Sequence, residues 1–437
     1  MLNRLDLRGK GNAVAEGLPR PEIAASEPRQ AVAEIIGQVR AEGDSALVAL
    51  TERFDGVKPD PIRVPADELD AAVETLKPEL RCAMDEAIGS IEEFHRHQLH
   101  APHVIESDGV RIEAWTRPVA SAGLYVPGGR AEYPSTVLMT AVPALVAGVK
   151  RLALCVPPNR ELGAIAPSVL AAARLAGVEE VYAVGGAQAI AAMAYGTESI
   201  PAVDVIAGPG NVYVALAKQM VAGDVGIAAA FAGPSEVVVV VDDTANPVYA
   251  AIDLILQAEH GPDGLSWLIT WDADVADAVC AAGDQLLTTA RRADEVRSTM
   301  AAGGYVALVD DEAAAVAVVD AIAPEHLELM CRNATDLGRS VANAGAIFCG
   351  DLAPASLGDY IVGPSHVLPT NGSARFSSAL TVADFTKDHH MVSVSAGGLE
   401  RVGPHVVTLA EAEGLEAHAD SVRLRLADLD QIQRKNN

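Results

Sequence analysis

The sequence has too few basic residues for a protein that binds nucleic acid. It carries 32 lysines and arginines against 59 acidic residues, a formal charge of −27, whereas binding to phosphates depends on a basic surface. It also lacks a run of about 18 apolar residues, the length that a membrane-spanning helix requires. Met1 to Lys10 alternates in charge with no apolar block behind it, so we expect no signal peptide.

Cysteine pairs and the common dinucleotide motif are also missing. The five cysteines are scattered, without a C-x-x-C spacing, and we interpret them as reduced core residues of a cytoplasmic protein. No stretch matches G-x-G-x-x-G, so the ordinary dinucleotide fingerprint is absent. Glycine-rich turns are present instead, at 127–129, 185–186 and 208–211, and such turns let backbone amides approach a phosphate, although they are also ordinary turns at sheet edges.

The remaining composition is that of a globular α/β protein. Of the 437 residues 50% are hydrophobic, and the length suggests several domains. Amphipathic helices are predicted over 30–52 and 69–94, one long helix over 275–300, and a helical tail from about Phe385. From Ala122, short apolar runs alternate with alanine-rich helical segments, which indicates two parallel sheets in series. Strands are predicted at 152–156, 178–184, 203–207, 236–241, 265–270, 305–309 and 346–349.

A short stretch at residues 257–262 closes one of these helices. Apolar residues between Pro247 and His260 have helical spacing, and Gly261 and Pro262 end the helix. Residues three apart share a helix face, so Gln257 and His260 converge while Glu259 lies off that face. The pair is suited to a metal, but a simple surface helix end explains it equally.

Other ionisable residues could complete such a site. Pro324 predicts a bend, on which the neighbouring Glu325 and His326 suit acid and base chemistry. A catalytic zinc commonly takes histidine with carboxylate or amide oxygen. Each residue alone also fits a surface position or a satisfied histidine. The further candidates are Asp359, His366, Glu413 and His418, and a competing histidine cluster at 95, 97, 100 and 103 is explained by the end of a polar helix.

These stretches together resemble the histidinol dehydrogenase family, whose members carry out the last two oxidations of histidine biosynthesis. Their order and spacing match over nearly the whole chain. The matching pieces are Arg117 to Val119, Tyr125 to Gly129, Gly185 to Ile190, Gly208 to Asn211, Ala232 to Glu236, Gln257 to Asp263, Pro324 to His326, Gly358 to Tyr360 and His366 to Thr370.

The resemblance implies a zinc ion in each subunit, with a site shared across a homodimer. The implied zinc ligands are Gln257, His260, Asp359 and His418, the last coming from the partner subunit, and these residues also contact the substrate. Glu325 and His326 are implied to carry the proton chemistry. Further implied substrate contacts are His326, Ser235, His366 and Glu413, and the implied NAD contacts are Tyr125, Gln188 and Asn211.

The resemblance also implies an α/β fold of two incomplete Rossmann-like domains with smaller helical N- and C-terminal pieces. We divide the chain into an N-terminal arm (1–24), a first α/β domain with much of the metal and catalytic site (25–121 and 235–380), a second with the NAD contacts (122–234), and a C-terminal helical domain that reaches the partner subunit (381–437). One departure is visible, since Ala355 replaces a carboxylate that the family often has, which puts one contact to the substrate in doubt.

The implied reaction is the NAD-dependent, zinc-requiring oxidation of L-histidinol to L-histidine through L-histidinaldehyde, a four-electron process. In it, His326 takes the alcohol proton, Glu325 activates water, and zinc orients the substrate. The partners expected are L-histidinol, NAD and a second copy of the chain, in the cytoplasm, with neither nucleic acid nor membrane. A zinc-dependent hydrolase of a small amine would use the same ligands without NAD, and a non-catalytic binding protein would need neither Glu325 nor His326.

Overall fold

The computed structural model describes residues 2–19, 26–128, 131–228, 235–258, 264–290 and 292–429. The chain divides into two units. One comprises Met1–Gln98 and Val119–Phe385, and the other comprises Leu99–Pro118 and Thr386–Asn437. None of the helices in the described ranges combines the length and the apolar character that crossing a bilayer demands.

The strands are β1 (Asn3–Asp6), β2 (His103–Ser107), β3 (Val110–Pro118), β4 (Ser121–Tyr125), β5 (Arg151–Cys155), β6 (Glu180–Tyr182), β7 (Val205–Ala207), β8 (Gly226–Ile227), β9 (Glu236–Val241), β10 (Leu265–Thr270), β11 (Gly304–Leu308), β12 (His326–Met330), β13 (Ala346–Cys349) and β14 (Thr386–Val394). The helices are α1 (Ser26–Glu42), α2 (Asp44–Asp55), α3 (Ala66–Glu74), α4 (Pro78–Arg96), α5 (Pro134–Ala147), α6 (Pro167–Leu175), α7 (Gly186–Tyr195), α8 (Val212–Val221), α9 (Pro247–Ala258), α10 (Ala273–Leu286), α11 (Ala293–Gly303), α12 (Glu312–Ile322), α13 (Ala334–Ser340), α14 (Ala355–Tyr360), α15 (Ala396–Ala412) and α16 (Glu416–Ala427).

The first sheet has the strand order β6-β5-β4-β7-β8, and all its pairings are parallel. Both faces are buried, because Leu124 belongs to one apolar cluster and the adjacent Tyr125 to another. Successive side chains of a strand point to opposite faces, so each cluster lies on one side of the sheet. The strands follow one another outwards from β4 first to one edge and then to the other, which is the strand order of a Rossmann-like half.

The second sheet repeats this plan with the order β1-β11-β10-β9-β12-β13, again parallel throughout. Its central strand β9 reads EVVVVV and is buried along its whole length. Val238 packs in one cluster and Val239 in the other, as expected of a strand covered by helices on both faces. The expected α/β class with two Rossmann-like sheets is confirmed.

Several elements differ from the sequence-based expectation. Residues 3–6 of the expected arm form β1, which pairs with β11. The helix predicted over 275–300 is divided into α10 and α11, and between them the hydroxyls of Thr288 and Thr289 donate to the carbonyls of Gln285 and Leu286. Such local hydrogen bonds compete with a continuing helix.

The helices of residues 26–96 pack on the first sheet. Helix α1 contacts α7 and α8, while α3 contacts α6 and α4 contacts α5. The sequence-based division groups residues 25–121 with 235–380, the segment of the second sheet. These helices therefore contact the helices of the first sheet. Which sheet a helix joins depends on the packing of its apolar face, and the order of elements along the chain does not reveal it.

The second unit combines a small sheet with two helices. Strand β3 pairs antiparallel with β2 and with β14, and α15 packs on α16. The tail expected to be helical from Phe385 thus begins with a nine-residue strand, Thr386–Val394. The helical part of this tail is interrupted between α15 and α16 at Gly414, whose φ of 71° favours glycine.

His95 is the one member of the histidine cluster at 95–103 whose side chain lies in the core. Its accessible fraction is 0%, whereas His97 is exposed. Its Nδ1 donates to Oε1 of Gln98 at 2.8 Å, and Nε2 has no hydrogen-bond partner in the described part of the chain. Burial lowers the pKa of His95, against the smaller effect of the Gln98 bond, so the folded protein holds this ring neutral.

We predict that His95 makes folding sensitive to mild acid. The pKa of His95 in the folded state is lowered from 6.5. Below pH 6.5 the unfolded chain therefore binds a proton that the folded chain does not, and the free energy of unfolding decreases as the pH is lowered. Urea unfolding of His95→Phe and of the unaltered protein between pH 8 and 5 measures this. The midpoint of the variant should depend less on pH than that of the unaltered protein, and equal slopes would contradict the prediction.

Candidate active site

Two predicted residues, Glu325 and His326, lie at the amino-terminal edge of the second sheet. Helix α12 ends at Ile322, Ala323 adopts a left-handed conformation with φ 53°, and His326 begins β12. Parallel pairing sets His326 beside Val237 of β9. The turn and the register together bring Glu325 next to the start of β9.

Glu325 is held in a buried pocket of hydrogen-bond donors. Its Oε2 accepts the backbone N–H of Glu236 at 3.1 Å, and the hydroxyl of Ser235 donates to the carboxyl group. Burial raises the pKa of Glu325, and the charge of His326 and these hydrogen bonds oppose that effect only in part. The carboxyl is therefore a stronger base than an exposed glutamate.

His326 lies between two carboxyl groups. Its Nε2 is 3.2 Å from Oδ1 of Asp359, and its Nδ1 is 3.7 Å from Oε2 of Glu325 and 3.3 Å from the carbonyl oxygen of Glu236. Burial lowers the pKa of His326, but the charge of Glu325 and the hydrogen bond and charge of Asp359 raise it more, to about 9. An imidazole so placed exchanges protons with either side.

A hydrogen bond links the side chain of His366 to the backbone of Asp359. Helix α14 ends with Tyr360, and Nδ1 of His366 donates to the carbonyl oxygen of Asp359 at 2.8 Å. On its other side, Nε2 of His366 is 3.0 Å from Oγ1 of Thr136 in α5. Thr136 is a residue that sequence reasoning missed, because a threonine inside an apolar helix carries no signal of its own.

The metal ligands expected on α9 are described only in part. Gln257 is buried, and its amide Nε2 has no hydrogen-bond partner among the described residues. His260 lies outside those residues. Within them, no group of three or more histidine, cysteine or carboxylate side chains is arranged to hold a metal ion. A buried N–H group without a partner is costly, which makes Gln257 a candidate to bind a ligand.

Glu413 and His418 belong to the second unit. Glu413 caps the carboxyl end of α15, and His418 lies in the first turn of α16. Both are exposed. The structure therefore presents these two side chains to solvent on adjacent helices.

The residues expected to bind NAD line a single cavity of about 1050 Å³ at the carboxyl edge of the first sheet. Tyr125 ends β4, and its hydroxyl accepts the N–H of Gly186 at 3.0 Å. Asn211 caps α8, since its Oδ1 accepts the N–H groups of Tyr213 and Val214. Gln188 is buried with neither amide atom bonded in the described ranges.

A close approach of two loops shapes this cavity. Gly208 has a φ of 114°, and a Cβ at that position would collide with the carbonyl oxygen of Tyr125. The ammonium of Lys218, a buried residue of α8, donates to the carbonyl oxygen of Gly208. The loop after β7 thus lies directly against the end of β4, where ligands of open α/β sheets bind.

The chain is similar to known proteins over nearly its whole length. The family model described as histidinol dehydrogenase matches residues 18–426. Proteins named histidinol dehydrogenase are 46% identical in Vibrio parahaemolyticus, over 95% of this chain and 96% of that one, and 46% identical in Thermobifida fusca, over 98% of both. The crystal structure of histidinol dehydrogenase from Elizabethkingia anophelis superposes with a TM-score of 0.94 at 36% identity, over 98% of this chain and 99% of that chain.

We predict that the buried amide of Gln188, which has no partner among the described residues, lowers the stability of the ligand-free protein. Gln188→Leu removes a buried polar group worth about 1–3 kcal/mol when unsatisfied, so the free energy of unfolding should stay equal or rise. Asn211→Ala, in the same cavity, removes a helix cap and should lower it by about 1 kcal/mol. Urea unfolding of both variants measures this contrast, and a Gln188→Leu protein as unstable as Asn211→Ala would show that Gln188 is structural.

Proposed function

The chain belongs to the histidinol dehydrogenase family of oxidoreductases, and we propose that it oxidises L-histidinol to L-histidine through L-histidinaldehyde, with NAD as oxidant and zinc as a required metal. The observation that carries this proposal is the triad of Glu325, His326 and Asp359, with His326 3.2 Å from Asp359 and 3.7 Å from Glu325. Glu325 and His326 can each act as a base, and Asp359 is a carboxylate that can bind a metal; the three side chains lie together at the start of β12.

The donor set fits zinc. We propose that Gln257, His260 and Asp359 bind one zinc ion per subunit, with His418 of the partner subunit in a cytoplasmic homodimer. Gln257 supports this because it is buried at the end of α9, close in sequence to His260, and its amide oxygen is an atom that zinc can bind. One carboxylate, two imidazoles and a neutral amide leave net positive charge, with which zinc would orient the imidazole and amine of the substrate.

The cavity beside the first sheet fits a dinucleotide. Tyr125, Gln188 and Asn211 are its proposed contacts, and residues 122–234 would form the NAD-binding domain. Gln188 supports this assignment because both atoms of its buried amide lack partners in the described residues. Burial raises the pKa of the Tyr125 hydroxyl, which therefore stays protonated and can donate to a ligand. NAD bound there would accept the hydride of each oxidation.

Proton transfer in the reaction falls to residues of β12 and its preceding turn. His326 takes the hydroxyl proton of the alcohol as the hydride leaves its carbon. Glu325 then removes a proton from the water that adds to the aldehyde, while His326 returns its proton to the aldehyde oxygen. His326, neutral again, takes a hydroxyl proton of the hydrate in the second oxidation. His326 must be neutral for both steps, a condition favoured when a bound cation takes up the charge of Asp359 and so lowers the pKa of the ring.

Substrate binding is assigned to residues around this centre. Ser235 contacts Glu325 through its hydroxyl, and His366 contacts the backbone of Asp359, so both adjoin the proposed reaction centre. Glu413, in the C-terminal segment 381–437 that we propose reaches the partner subunit, would bind the substrate amine through its carboxylate. Together with the ligands of zinc, these three side chains would recognise a small cationic amino alcohol.

The overall reaction is tested by counting NADH. Each L-histidinol should yield two NADH because a primary alcohol gives up two hydrides on the way to a carboxylate. Chelation should abolish the reaction and added zinc should restore it. Gln257→Ala should lose metal and activity together. A chain that binds zinc but forms no NADH from histidinol would instead favour a zinc-dependent hydrolase.

The role of His326 is tested by replacing the base alone. His326→Asn should slow turnover by about 10²- to 10⁴-fold, the usual contribution of general acid–base catalysis, in the oxidation of both histidinol and histidinaldehyde. Turnover is measured under saturating substrate and NAD, with bound zinc quantified in parallel. Unchanged rates in both half-reactions at full zinc content would remove His326 from the mechanism.

A further inference from the structure

A pair of carboxylic acids lies buried beneath the proposed site and takes no part in the mechanism above. Asp253 of α9 is 7% exposed and Glu328 of β12 is 1% exposed, and their side chains are hydrogen bonded to each other. Two carboxylates in contact without water repel, so one of them keeps a proton. Burial raises the pKa of both carboxyl groups, and the charge of Asp253 raises that of Glu328 further, so the pair shares one proton.

The hydrogen bonds of Glu328 leave one of its two oxygens for that proton. Its Oε1 accepts the backbone N–H of Ala355 at 2.7 Å. Its Oε2 receives no hydrogen bond from an N–H or hydroxyl group of the described residues. A buried oxygen is satisfied by sharing a proton, and Oε2 is therefore the atom of Glu328 that shares the proton with Asp253.

The pair connects the three elements that carry the proposed site. Glu328 follows His326 by two residues in β12, so the two side chains are on one face of the sheet. Asp253 precedes Gln257 by four residues in α9, on the same helix face. Ala355 begins α14, which carries Asp359 in the next turn.

Stability alone does not account for such a pair. Replacing buried charged or polar partners by apolar side chains of similar volume is often neutral or stabilising, and the surrounding residues Val237, Val239 and Leu254 are apolar. Apolar side chains, however, make no directional hydrogen bonds that could orient one helix against a strand. A hydrogen bond from Ala355 to Glu328 and one from Glu328 to Asp253 fix how α14 and α9 are set against β12.

We propose that Asp253 and Glu328 are positioning residues, whose shared proton holds α9 and α14 in register so that Gln257 and Asp359 face one metal ion. The inference rests on the proposed function, since it takes these two residues to be zinc ligands. It also gives Ala355 a role through its backbone, at the position where the family often has a carboxylate.

Zinc affinity of matched variants of Glu328 tests the proposal. Glu328→Gln keeps an oxygen for Ala355 and supplies an N–H to Asp253, whereas Glu328→Leu keeps only the volume. Competition with a chromophoric chelator, on full-length protein stripped and reloaded with zinc, should show Glu328→Leu weakened by about 10- to 100-fold, as for other groups that orient metal ligands. Glu328→Gln should bind like the unaltered chain.

Equal zinc affinity in Glu328→Leu and the unaltered chain would overturn the proposal, as would an equal loss in both Glu328 variants. If Glu328→Leu does not fold, the same comparison of zinc affinities is made with two variants of Asp253. Asp253→Asn keeps an acceptor for the proton of Glu328 and should retain zinc, while Asp253→Ala should weaken it. Equal affinities of these two variants would also overturn the proposal.

A control separates positioning from a general loss of stability. Leu329→Ala weakens β12 from the opposite, fully apolar face and should lower the unfolding temperature without changing zinc affinity. A comparable loss of zinc in this variant would contradict the inference. If the unaltered chain itself binds no zinc, the proposed function fails, and this outcome is distinct from failure of the inference in a chain that binds zinc.

Discussion

The parallel pairing of β9 with β12 is the interaction on which the proposed site depends. Its register sets His326 beside Val237, and through it Oε2 of Glu325 meets the N–H of Glu236. A slip of one residue would turn His326 and Glu328 to the opposite face of the sheet, away from α9. The five consecutive valines of β9 make this strand entirely buried, so the position of both bases is fixed by the apolar core rather than by the site itself.

The proposed ligand sites lie at opposite edges of the two Rossmann-like sheets. Tyr125 ends β4 and Asn211 follows β7, so the proposed NAD residues lie at carboxyl ends, as the general rule for open α/β sheets states. His326 begins β12 and Ser235 precedes β9, at the amino edge, where α9 and α14 return with Gln257 and Asp359. The second sheet thus follows the fold of a dinucleotide-binding half, while the site proposed for it lies at the other edge, where Glu325, His326 and Gln257 are buried.

How much could be predicted depended on the range of the interactions concerned. Strands β9, β10 and β13 have their predicted bounds, because short apolar runs between turn residues suffice to define them. The sheet of β2, β3 and β14 was not predicted as a sheet, since it pairs residues 110–118 with 386–394, which are far apart in the sequence. For the site, helical spacing selected Gln257, but the contact of His326 with Asp359 depends on the order of strands and could not be read from local sequence. Thr136, Asp253 and Glu328 carry no motif at all.

The separation of core and site has a consequence for how substitutions act. Apart from Glu328 in β12, the interiors of the central strands are apolar, and the residues proposed to bind ligands or carry the chemistry lie at strand ends and helix ends. Gln188 and Gln257 make no hydrogen bond through their buried amide nitrogens in the described part of the chain. These two side chains therefore do not stabilise the folded state through those atoms, which is common for residues that serve function. Asn211 and Glu328 differ because they bind backbone N–H groups of α8 and α14. In these two residues the requirements of the fold and of the proposed chemistry coincide, and there a single substitution acts on both.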